Sequence, residues 1–242
     1  MPVSLKDQVA LVVGASSGIG RSIAVGLATE GCRVMAAARR LERLESLREE
    51  LSKSGGTAAI QTGDASRVED MEDLAKRTIA TFGHIDLMVY ATGTNTPDRA
   101  LQRLTPQVWN ELVRVNLDGA YYATRAVLPH MREKQSGHLI FISSISGMLP
   151  DASGAAYQAS KRGLLGLAGA IRWEEKDYGI RTCVVCPGLV ETEILERRPV
   201  KPTADVLAKA LQPEDVAEMV VAIAKLPPRA VVPEMQLLPT YL

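Results

Sequence analysis

The stretch that decides the fold reads Gln8-Val-Ala-Leu-Val-Val13 and continues directly into Gly14-Ala-Ser-Ser-Gly18-Ile-Gly20. The first part is a short, nearly continuous apolar run, which is typical of a buried strand, and an apolar-periodic helix follows the glycines up to Glu30. Glycines in such a turn allow positive φ angles and a close approach of the backbone, while the helix N-terminus offers free N–H groups to a pyrophosphate. A second apolar run at 33–38 completes a strand-helix-strand unit, so this stretch predicts a dinucleotide site.

Strand and helix patterns alternate along the rest of the chain. Strands are predicted at 8–13, 33–38, 57–62, 85–91, 138–143, 180–186 and 230–238. The later helices are predicted at 41–53, 68–82, 106–132, 155–178 and 213–226. Such alternation indicates a parallel sheet covered on both faces, and the proline-interrupted last strand suits an edge. The sequence therefore predicts one α/β domain over residues 1–242, a doubly wound, Rossmann-like parallel sheet of about seven strands with helices on both faces.

Charge and hydropathy exclude several classes of partner. Lys plus Arg and Asp plus Glu balance at 28 each, and no long run of one sign exists, so nothing indicates nucleic acid or an anionic membrane. The apolar runs are too short and interrupted to predict a membrane span. The opening residues 1–7 lack the long apolar region of a signal peptide, and a cytoplasmic location is expected.

The three cysteines are an odd number in a chain of this length, which favours free thiols in a reducing compartment. Cys183 and Cys186 form a lone C-x-x-C inside a predicted strand, where an odd offset sends them to opposite faces. Because no second pair completes a zinc site, structural thiols are the better interpretation. His84, His130 and His138 have no mutual ligand spacing, and no metal site is predicted.

A candidate proton-transfer pair lies in Tyr157-Gln-Ala-Ser-Lys161. If the chain is helical from Ala155, the phenol and the ammonium share one helix face about one turn apart. A fixed ammonium favours the phenolate and lowers the tyrosine pKa, whereas the alternative is an ordinary surface Tyr and Lys. Ser144 follows the strand at 138–143, and its hydroxyl either donates to a substrate oxygen or belongs to an ordinary loop.

Taken together, these features resemble the short-chain dehydrogenase/reductase family over nearly the whole chain. The matching residues are Gly14, Gly18, Gly20, Asp64, Asn116, Ser144, Tyr157, Lys161, Pro187, Gly188 and Thr192. The resemblance implies that Tyr157 is the acid/base and that Ser144 holds the same substrate oxygen. It implies further that Lys161 contacts the nicotinamide ribose and lowers the tyrosine pKa, that Asn116 anchors a water linking Lys161 to solvent, and that Thr192 contacts the carboxamide.

The catalytic residues predicted on this basis are Asn116, Ser144, Tyr157 and Lys161. The predicted cofactor contacts are Gly14, Ser16, Ser17, Gly18, Ile19, Gly20, Arg39, Arg40, Asp64, Ala65, Gly93, Tyr157, Lys161, Pro187, Gly188, Val190 and Thr192.

Two positions depart from the family pattern. Val13 replaces the usual Thr before the first glycine, and Tyr90-Ala-Thr-Gly93 replaces the usual Asn-Asn-Ala-Gly. The Asn side chains of that motif fix the loop beside the adenosine and the central helix. Either cofactor affinity is weakened here, or Thr92 supplies part of the missing bonding.

The cofactor is predicted to be NADP(H). Sites that prefer NAD place a carboxylate at the end of the second strand, where it bonds the ribose 2′-hydroxyl and repels a 2′-phosphate. That position is Ala38, followed by Arg39 and Arg40, and a guanidinium can hold a phosphate through two parallel hydrogen bonds. The alternative makes both arginines exposed residues at a helix start, where the dipole disfavours a cation. Arg39 is the expected main phosphate contact, with Ser16 assisting.

The predicted reaction is hydride transfer between the nicotinamide and a secondary alcohol or its ketone, with a hydroxy acid as one candidate substrate. The rival from another class is a catalytically silent nucleotide-binding sensor or scaffold, which would need none of the proton-transfer groups. The substrate walls are expected at 93–105, 145–156 and 189–205, with a lid over roughly 189–212.

Two features bear on the small-molecule substrate. Arg197, Arg198 and Lys201 cluster in the last of those loops, and they are either solvated charges or a site for a substrate carboxylate. The ending from Pro227 to Thr240 is similar to that of family members that oxidise hydroxy acids.

A stripe of small residues points to helix packing. Gly163, Gly166 and Ala170 share one helix face, and glycine within a helix costs up to about 1 kcal/mol relative to alanine. Close helix approach, either within the fold or between subunits, would offset that cost. The family resemblance favours the second alternative, a homodimer or homotetramer.

Overall fold

The apolar runs of the sequence form a seven-stranded, fully parallel sheet in the computed structural model, which describes residues 2–241. The strands are β1 (Val9–Val13), β2 (Arg33–Ala38), β3 (Thr57–Thr62), β4 (Leu87–Tyr90), β5 (Gly137–Ile142), β6 (Ile180–Pro187) and β7 (Glu234–Leu237). Their spatial order is β3-β2-β1-β4-β5-β6-β7, which confirms the predicted doubly wound architecture. The order reverses between β1 and β4, and this is where such sheets bind nucleotides.

Helices cover both faces of the sheet. They are α1 (Gly18–Thr29), α2 (Leu41–Lys53), α3 (Val68–Phe82), α4 (Pro106–Val113), α5 (Gly119–Lys134), α6 (Ala155–Glu174), α7 (Ala204–Leu207) and α8 (Pro213–Ala224). Buried side chains of α1, α2 and α8 pack in one core, and those of α3, α5 and α6 pack in the other. Along β1, Ala10 and Val12 face the first core while Leu11 and Val13 face the second, because successive strand residues alternate.

Several boundaries differ from the sequence predictions. The last strand was predicted over 230–238 but β7 covers only 234–237, and it lies at the predicted edge. The helix predicted over 106–132 is continuous to Lys134, but Arg114–Asp118 within it is π-helical. The predicted lid region contains a short 3₁₀ segment at Glu193–Arg197 and α7, neither of which the sequence indicated.

The cysteines lie in the two cores, and one glycine of the small-residue stripe packs against a neighbouring helix. Cys183 and Cys186 face opposite cores, as their odd offset predicted, and all three cysteines are buried free thiols. A Cβ at Gly163 would lie 2.6 Å from the Leu117 side chain, so this glycine allows close packing within the fold. A Cβ at Gly166 would meet nothing within 4 Å.

Among residues 2–241, no group of three or more His, Cys, Asp and Glu side chains is placed to hold a metal ion. None of the helices in that range combines the length and the apolar character needed to cross a membrane.

Candidate active site

A cleft of about 450 Å³ opens at the carboxyl ends of the parallel strands. Every sequence-predicted site residue except Asn116 lines it. The lining set is Gly14, Ser16, Ser17, Gly18, Ile19, Gly20, Arg39, Arg40, Asp64, Ala65, Gly93, Ser144, Tyr157, Lys161, Pro187, Gly188, Val190 and Thr192. Asn116 is fully buried behind the cleft. The fold thus brings the Gly-rich turn and the proton-transfer pair together from positions more than a hundred residues apart.

The Gly-rich turn packs closely against neighbouring backbone, which requires glycine at positions 14 and 20. Gly14 and Gly18 have φ angles of +98° and +52°, which favour glycine. A Cβ at Gly14 would lie 2.8 Å from the backbone of Ala91, and a Cβ at Gly20 would overlap the Gly14 carbonyl oxygen. Ser17, the N-cap of α1, makes no side-chain capping bond, so first-turn N–H groups remain available. These features fit a dinucleotide pyrophosphate.

Lys161 lies on α6 one turn after Tyr157, and its ammonium reaches the end of β5. Lys161 Nζ donates to the Ile142 carbonyl oxygen at 2.9 Å and lies 5.8 Å from the centre of the Tyr157 ring. Burial lowers the pKa of this ammonium to about 8. A Cβ at Gly93 would come within 3.1 Å of Nζ, which explains why glycine suits that position. The two proton-transfer groups therefore share one wall of the cleft.

The Tyr157 phenol differs from the sequence expectation. Burial raises its pKa, and the Ser144 hydroxyl and the charges of Arg99 and Arg198 offset this effect only in part. The Lys161 ammonium donates to the Ile142 carbonyl rather than to the phenol. Tyr157 is consequently a protonated acid at neutral pH in this structure. Ser144 Oγ donates to Ser146 Oγ and accepts from the Ser146 N–H, both at 3.2 Å.

Asn116 braces the catalytic helix through its side chain. Its Oδ1 accepts from the Thr94 N–H at 2.8 Å, and its Nδ2 donates to the Thr94 carbonyl and to Ser160 Oγ, both at 3.0 Å. Ser160 Oγ in turn donates to the Tyr157 carbonyl at 2.8 Å. Both N–H groups of the Asn116 amide and its oxygen thus have protein partners, and the predicted role of Asn116 in anchoring a water stays a prediction. Sequence reasoning missed Ser160, although it stands within the Tyr-x-x-x-Lys motif.

The Tyr90 side chain joins β4 to the central helix. Its buried hydroxyl donates to the Val115 carbonyl at 2.6 Å, and so ties β4 to the π-helical segment beside Asn116. A Cβ at Gly119 would overlap this hydroxyl, so the glycine makes room for it. The sequence argument left open whether cofactor affinity is weakened or Thr92 supplies part of the bonding, and it did not consider Tyr90, which makes the bond to the central helix. Burial raises the pKa of the Tyr90 hydroxyl, and the Thr92 side chain, which lies between that hydroxyl and Gly14, lowers it in part.

Asp64 sits at the edge of the nucleotide half of the cleft. Its Oδ1 accepts from the Ser66 N–H at 2.9 Å and from the Ser66 hydroxyl at 2.8 Å. Burial works against the charge, yet these bonds and the positive charges of Arg39 and Arg67 hold the pKa of Asp64 below its usual value. Asp64 thus stays an acceptor at neutral pH.

The two arginines after β2 have different surroundings. Arg40 Nη2 donates to Ser16 Oγ at 3.0 Å and to Ser17 Oγ at 2.8 Å, and its Nη1 pairs with Glu193 at 3.1 Å. Arg39 is exposed and makes no side-chain hydrogen bond or ion pair within residues 2–241. Arg39 is therefore free to meet a ligand, whereas Arg40 already organises the Gly-rich turn.

The three basic residues predicted on the substrate side do not all lie in the cleft. Arg197 and Arg198 line the cleft, whereas Lys201 does not and pairs with Glu196. Arg99 and Asp151 also line it, and sequence reasoning named neither. Both lie inside the predicted wall segments, but no spacing in the sequence showed that they would face Tyr157.

Comparison with known proteins points to one family. A family model described as short chain dehydrogenase matches residues 8–202. An uncharacterised oxidoreductase of Staphylococcus saprophyticus is 33% identical over 240 residues, covering 98% of this chain and 99% of the relative.

Two solved structures carry the same fold. One is a metagenomic short-chain oxidoreductase in complex with NADP, at 33% identity and a TM-score of 0.85, covering 99% of this chain and 100% of that one. The other is an alcohol dehydrogenase of the archaeon Thermococcus sibiricus complexed with 5-hydroxy-NADP, at 30% identity and a TM-score of 0.87, covering 97% of each chain.

Proposed function

The chain belongs to the short-chain dehydrogenase family, and from that premise we propose that it is an NADP-dependent enzyme acting on a secondary alcohol or the corresponding ketone. The observation that carries the proposal is the meeting of Tyr157, Ser144 and Lys161 with the Gly-rich turn in one cleft. A turn built for a pyrophosphate and a buried acid beside it are what hydride transfer to a carbonyl requires. The substrate is a small molecule.

In this proposal, the cofactor would be held by the Gly-rich turn, Asp64, Lys161 and the segment around Thr192. When bound, it supplies or accepts the hydride at its nicotinamide ring. For reduction, Tyr157 donates its phenolic proton to the carbonyl oxygen, while the Ser144 hydroxyl bonds the same oxygen and fixes it. The raised pKa of Tyr157 keeps that proton in place at neutral pH. For oxidation, the phenol must first lose its proton, so that direction is favoured by higher pH.

The preference for NADP rests on the end of β2. Ala38 leaves no carboxylate to repel a 2′-phosphate, and the exposed Arg39 guanidinium beside it makes no ion pair within residues 2–241. The two solved relatives are complexes with NADP and 5-hydroxy-NADP. Arg39 is the proposed main phosphate contact, and Arg40 with Ser16 forms the floor of the site.

A homodimer or homotetramer in the cytoplasm completes the proposal. Gly166 and Gly169 leave an open strip on α6, and the same helix carries Trp173, with 73% of its area exposed. A large exposed aromatic side chain on a helix with an open face suits contact with a second copy. The three free, buried thiols suit a reducing compartment.

The deciding experiment separates an enzyme from a nucleotide sensor. NADPH oxidation is followed with a broad panel of ketones and aldehydes, and NADPH affinity is measured in parallel by calorimetry. Turnover of any carbonyl compound, if it is lost when Tyr157 is replaced by Phe, supports the assignment as an enzyme. Tight NADPH binding with no turnover across the panel would support the sensor, and the intact Asn116, Ser144, Tyr157 and Lys161 argue against that outcome.

A further inference from the structure

Arg99 is fixed in position relative to the catalytic tyrosine. Its Cβ and carbonyl oxygen lie 2.8 Å from where a Cβ on Gly154 would stand, so the loop bearing Arg99 presses directly on the N-cap of α6. Gly154 has a φ of +90° and precedes Tyr157 by three residues. A side chain at position 154 would push this loop away from α6. Glycine there therefore lets the loop that bears Arg99 pack against the start of the helix that bears Tyr157.

The guanidinium of Arg99 is oriented but not neutralised. Its Nε donates to the Thr96 carbonyl at 2.8 Å, and its Nη2 donates to the Arg197 carbonyl at 3.0 Å. A guanidinium has five N–H donors, so these two bonds leave three donors for a ligand. No carboxylate of residues 2–241 forms an ion pair with Arg99.

Arg198 adds a second cation to the same part of the cleft. It is half-buried, and its side chain makes no hydrogen bond or ion pair with any residue in 2–241. It lies near enough to Arg99 that, after burial, its charge further lowers the pKa of the Arg99 guanidinium. Two neighbouring cations in a cleft repel each other, and an anion bound between them relieves that repulsion.

One acidic side chain of the cleft, Asp151, accepts hydrogen bonds from two serines, and its charge acts on both Arg99 and Tyr157. Asp151 accepts from Ser146 Oγ at 2.5 Å and from the N–H and hydroxyl of Ser153 at 2.8 and 3.2 Å. Lys201, the third member of the cluster noted in the sequence, is paired with Glu196.

Arg99 and Arg198 form no ion pair within residues 2–241, and the charges of both act on Tyr157. Arg197 also lines the cleft, but its Nη1 donates to the Asn95 carbonyl at 3.3 Å and its charge is not among those that shift the pKa of Tyr157.

We propose that Arg99 and Arg198 bind a carboxylate of the substrate, so that the enzyme acts on hydroxy acids and keto acids rather than on neutral alcohols and ketones. Arg99 supplies the oriented hydrogen bonds, and Arg198 supplies a second charge from the proposed lid. This assignment rests on the proposed function, because it takes the oxygen held by Tyr157 and Ser144 as the reacting oxygen. A guanidinium suits the task, since it can meet both oxygens of a carboxylate in parallel.

The test compares acids with matched neutral compounds. A series of short- to medium-chain 3-keto acids and their methyl esters is assayed with NADPH, on wild type, Arg99→Gln, Arg99→Lys and Arg198→Gln. The matched control is Arg103→Gln, which removes an exposed arginine of the same loop that pairs with Asp98 and does not line the cleft. Thermal unfolding verifies that each variant is folded.

Wild type is expected to turn over at least one acid with a kcat/KM about 100-fold above that of its ester. Arg99→Gln should lower the value for the acid about 10- to 100-fold, as expected for a lost bond to a charged group, and leave the ester within about threefold. Arg198→Gln should also lower kcat/KM for the acid and not for the ester, but by a smaller factor than Arg99→Gln. Arg99→Lys should recover part of the loss, and Arg103→Gln should change neither substrate. Equal kcat/KM values for the acids and their esters in wild type would overturn the proposal.

A binding measurement keeps this result separate from turnover. With NADP⁺ bound, a keto acid cannot react, and calorimetry reports its affinity directly. The acid should bind at least about tenfold more tightly than its ester, and Arg99→Gln should abolish the difference. Equal affinities, or no binding by any acid in the series, would overturn the carboxylate site. Turnover of neutral ketones with no use of acids would leave the proposed function standing, whereas acid binding without any turnover would remove the proposed function alone.

Discussion

Arg40 and Glu193 form an ion pair of 3.1 Å that joins the end of β2 to the proposed lid. The same carboxylate pairs with Arg43, and this bond in particular lowers the pKa of Glu193. Glu193 directly follows Thr192, whose methyl group lies next to Gly18. A negative charge from the proposed lid therefore stands at Arg40, which with Ser16 forms the floor of the proposed 2′-phosphate site, so the carboxylate and the phosphate would compete there.

This competition predicts that Glu193→Gln binds NADPH more tightly than wild type. An exposed ion pair contributes up to about 1 kcal/mol, so the dissociation constant should fall about threefold to fivefold. NADH has no 2′-phosphate, and its affinity should be unchanged. Calorimetric titration of both cofactors checks the result, with Glu196→Gln as the matched control because it lies in the same short segment and pairs with Lys201 instead. Tighter binding of NADH as well would mean that Glu193 acts on the lid and not on the phosphate site.

The double change Ala38→Asp/Arg39→Leu should reverse the cofactor preference. The new carboxylate can accept from a ribose 2′-hydroxyl and repels a 2′-phosphate, while the exposed guanidinium is lost. The ratio of kcat/KM for NADPH to that for NADH should fall about 100-fold or more. Arg48→Leu, a change on the exposed side of α2, serves as the control. A wild type that already prefers NADH, or a ratio that the double change leaves alone, would contradict the assignment.

Tyr157→Phe should abolish most of the turnover and keep the cofactor site. The ring stays and the proton donor is lost, so kcat should drop by about 100-fold or more while the affinity for NADPH remains within about twofold. Tyr178→Phe, which removes a phenol that is 40% exposed and lies outside the cleft, should leave both values unchanged. Stopped-flow measurement of hydride transfer separates this step from product release. Full activity of Tyr157→Phe would remove the mechanism.

The sequence predicted the strands, the parallel doubly wound sheet and the rim residues, because these follow from short-range patterns and from the rule that ligands bind beyond the carboxyl ends of parallel strands. The apolar run at 8–13 predicts a strand buried on both faces, and Gly14 and Gly18 allow the positive φ angles of the turn, so the local sequence pattern alone placed β1, the turn and α1. Tyr157 and Lys161 are four residues apart on one helix, and that spacing also is local. Both inferences needed no knowledge of distant contacts.

What the sequence did not predict depends on contacts between distant segments. The bond from Tyr90 to Val115 spans 25 residues and that of Arg40 to Glu193 spans 153, and no periodicity marks either pair. The pKa of Tyr157 was expected to be lowered by Lys161, but burial dominates and the ammonium bonds Ile142. The orientation of Arg99 depends on Thr96, Arg197 and Gly154, which come from three separate segments.

The last prediction concerns stability below neutral pH. His138 on β5 is 4% exposed, and neither of its ring nitrogens has a hydrogen-bond partner within residues 2–241. Burial, and then the positive charge of Arg181, lowers the pKa of His138 to about 3, whereas an ordinary histidine has a pKa of 6.5. Between these values the unfolded chain binds a proton that the folded chain does not. The free energy of unfolding should therefore fall as the pH drops below about 6.5, with a slope approaching 1.4 kcal/mol per pH unit from this group alone.

The slope is measured by urea unfolding at several pH values between roughly 5 and 7, because most carboxylates titrate at lower pH. His138→Leu removes the titrating group and two unbonded buried nitrogens, so it should flatten the dependence and raise the unfolding free energy at pH 5 relative to wild type. His84→Gln is the matched control, because His84 is partly exposed and bonds Asp86 at 3.0 Å instead of being buried without a partner. If His138→Leu kept the wild-type slope, the imidazole would have to be protonated inside the folded protein.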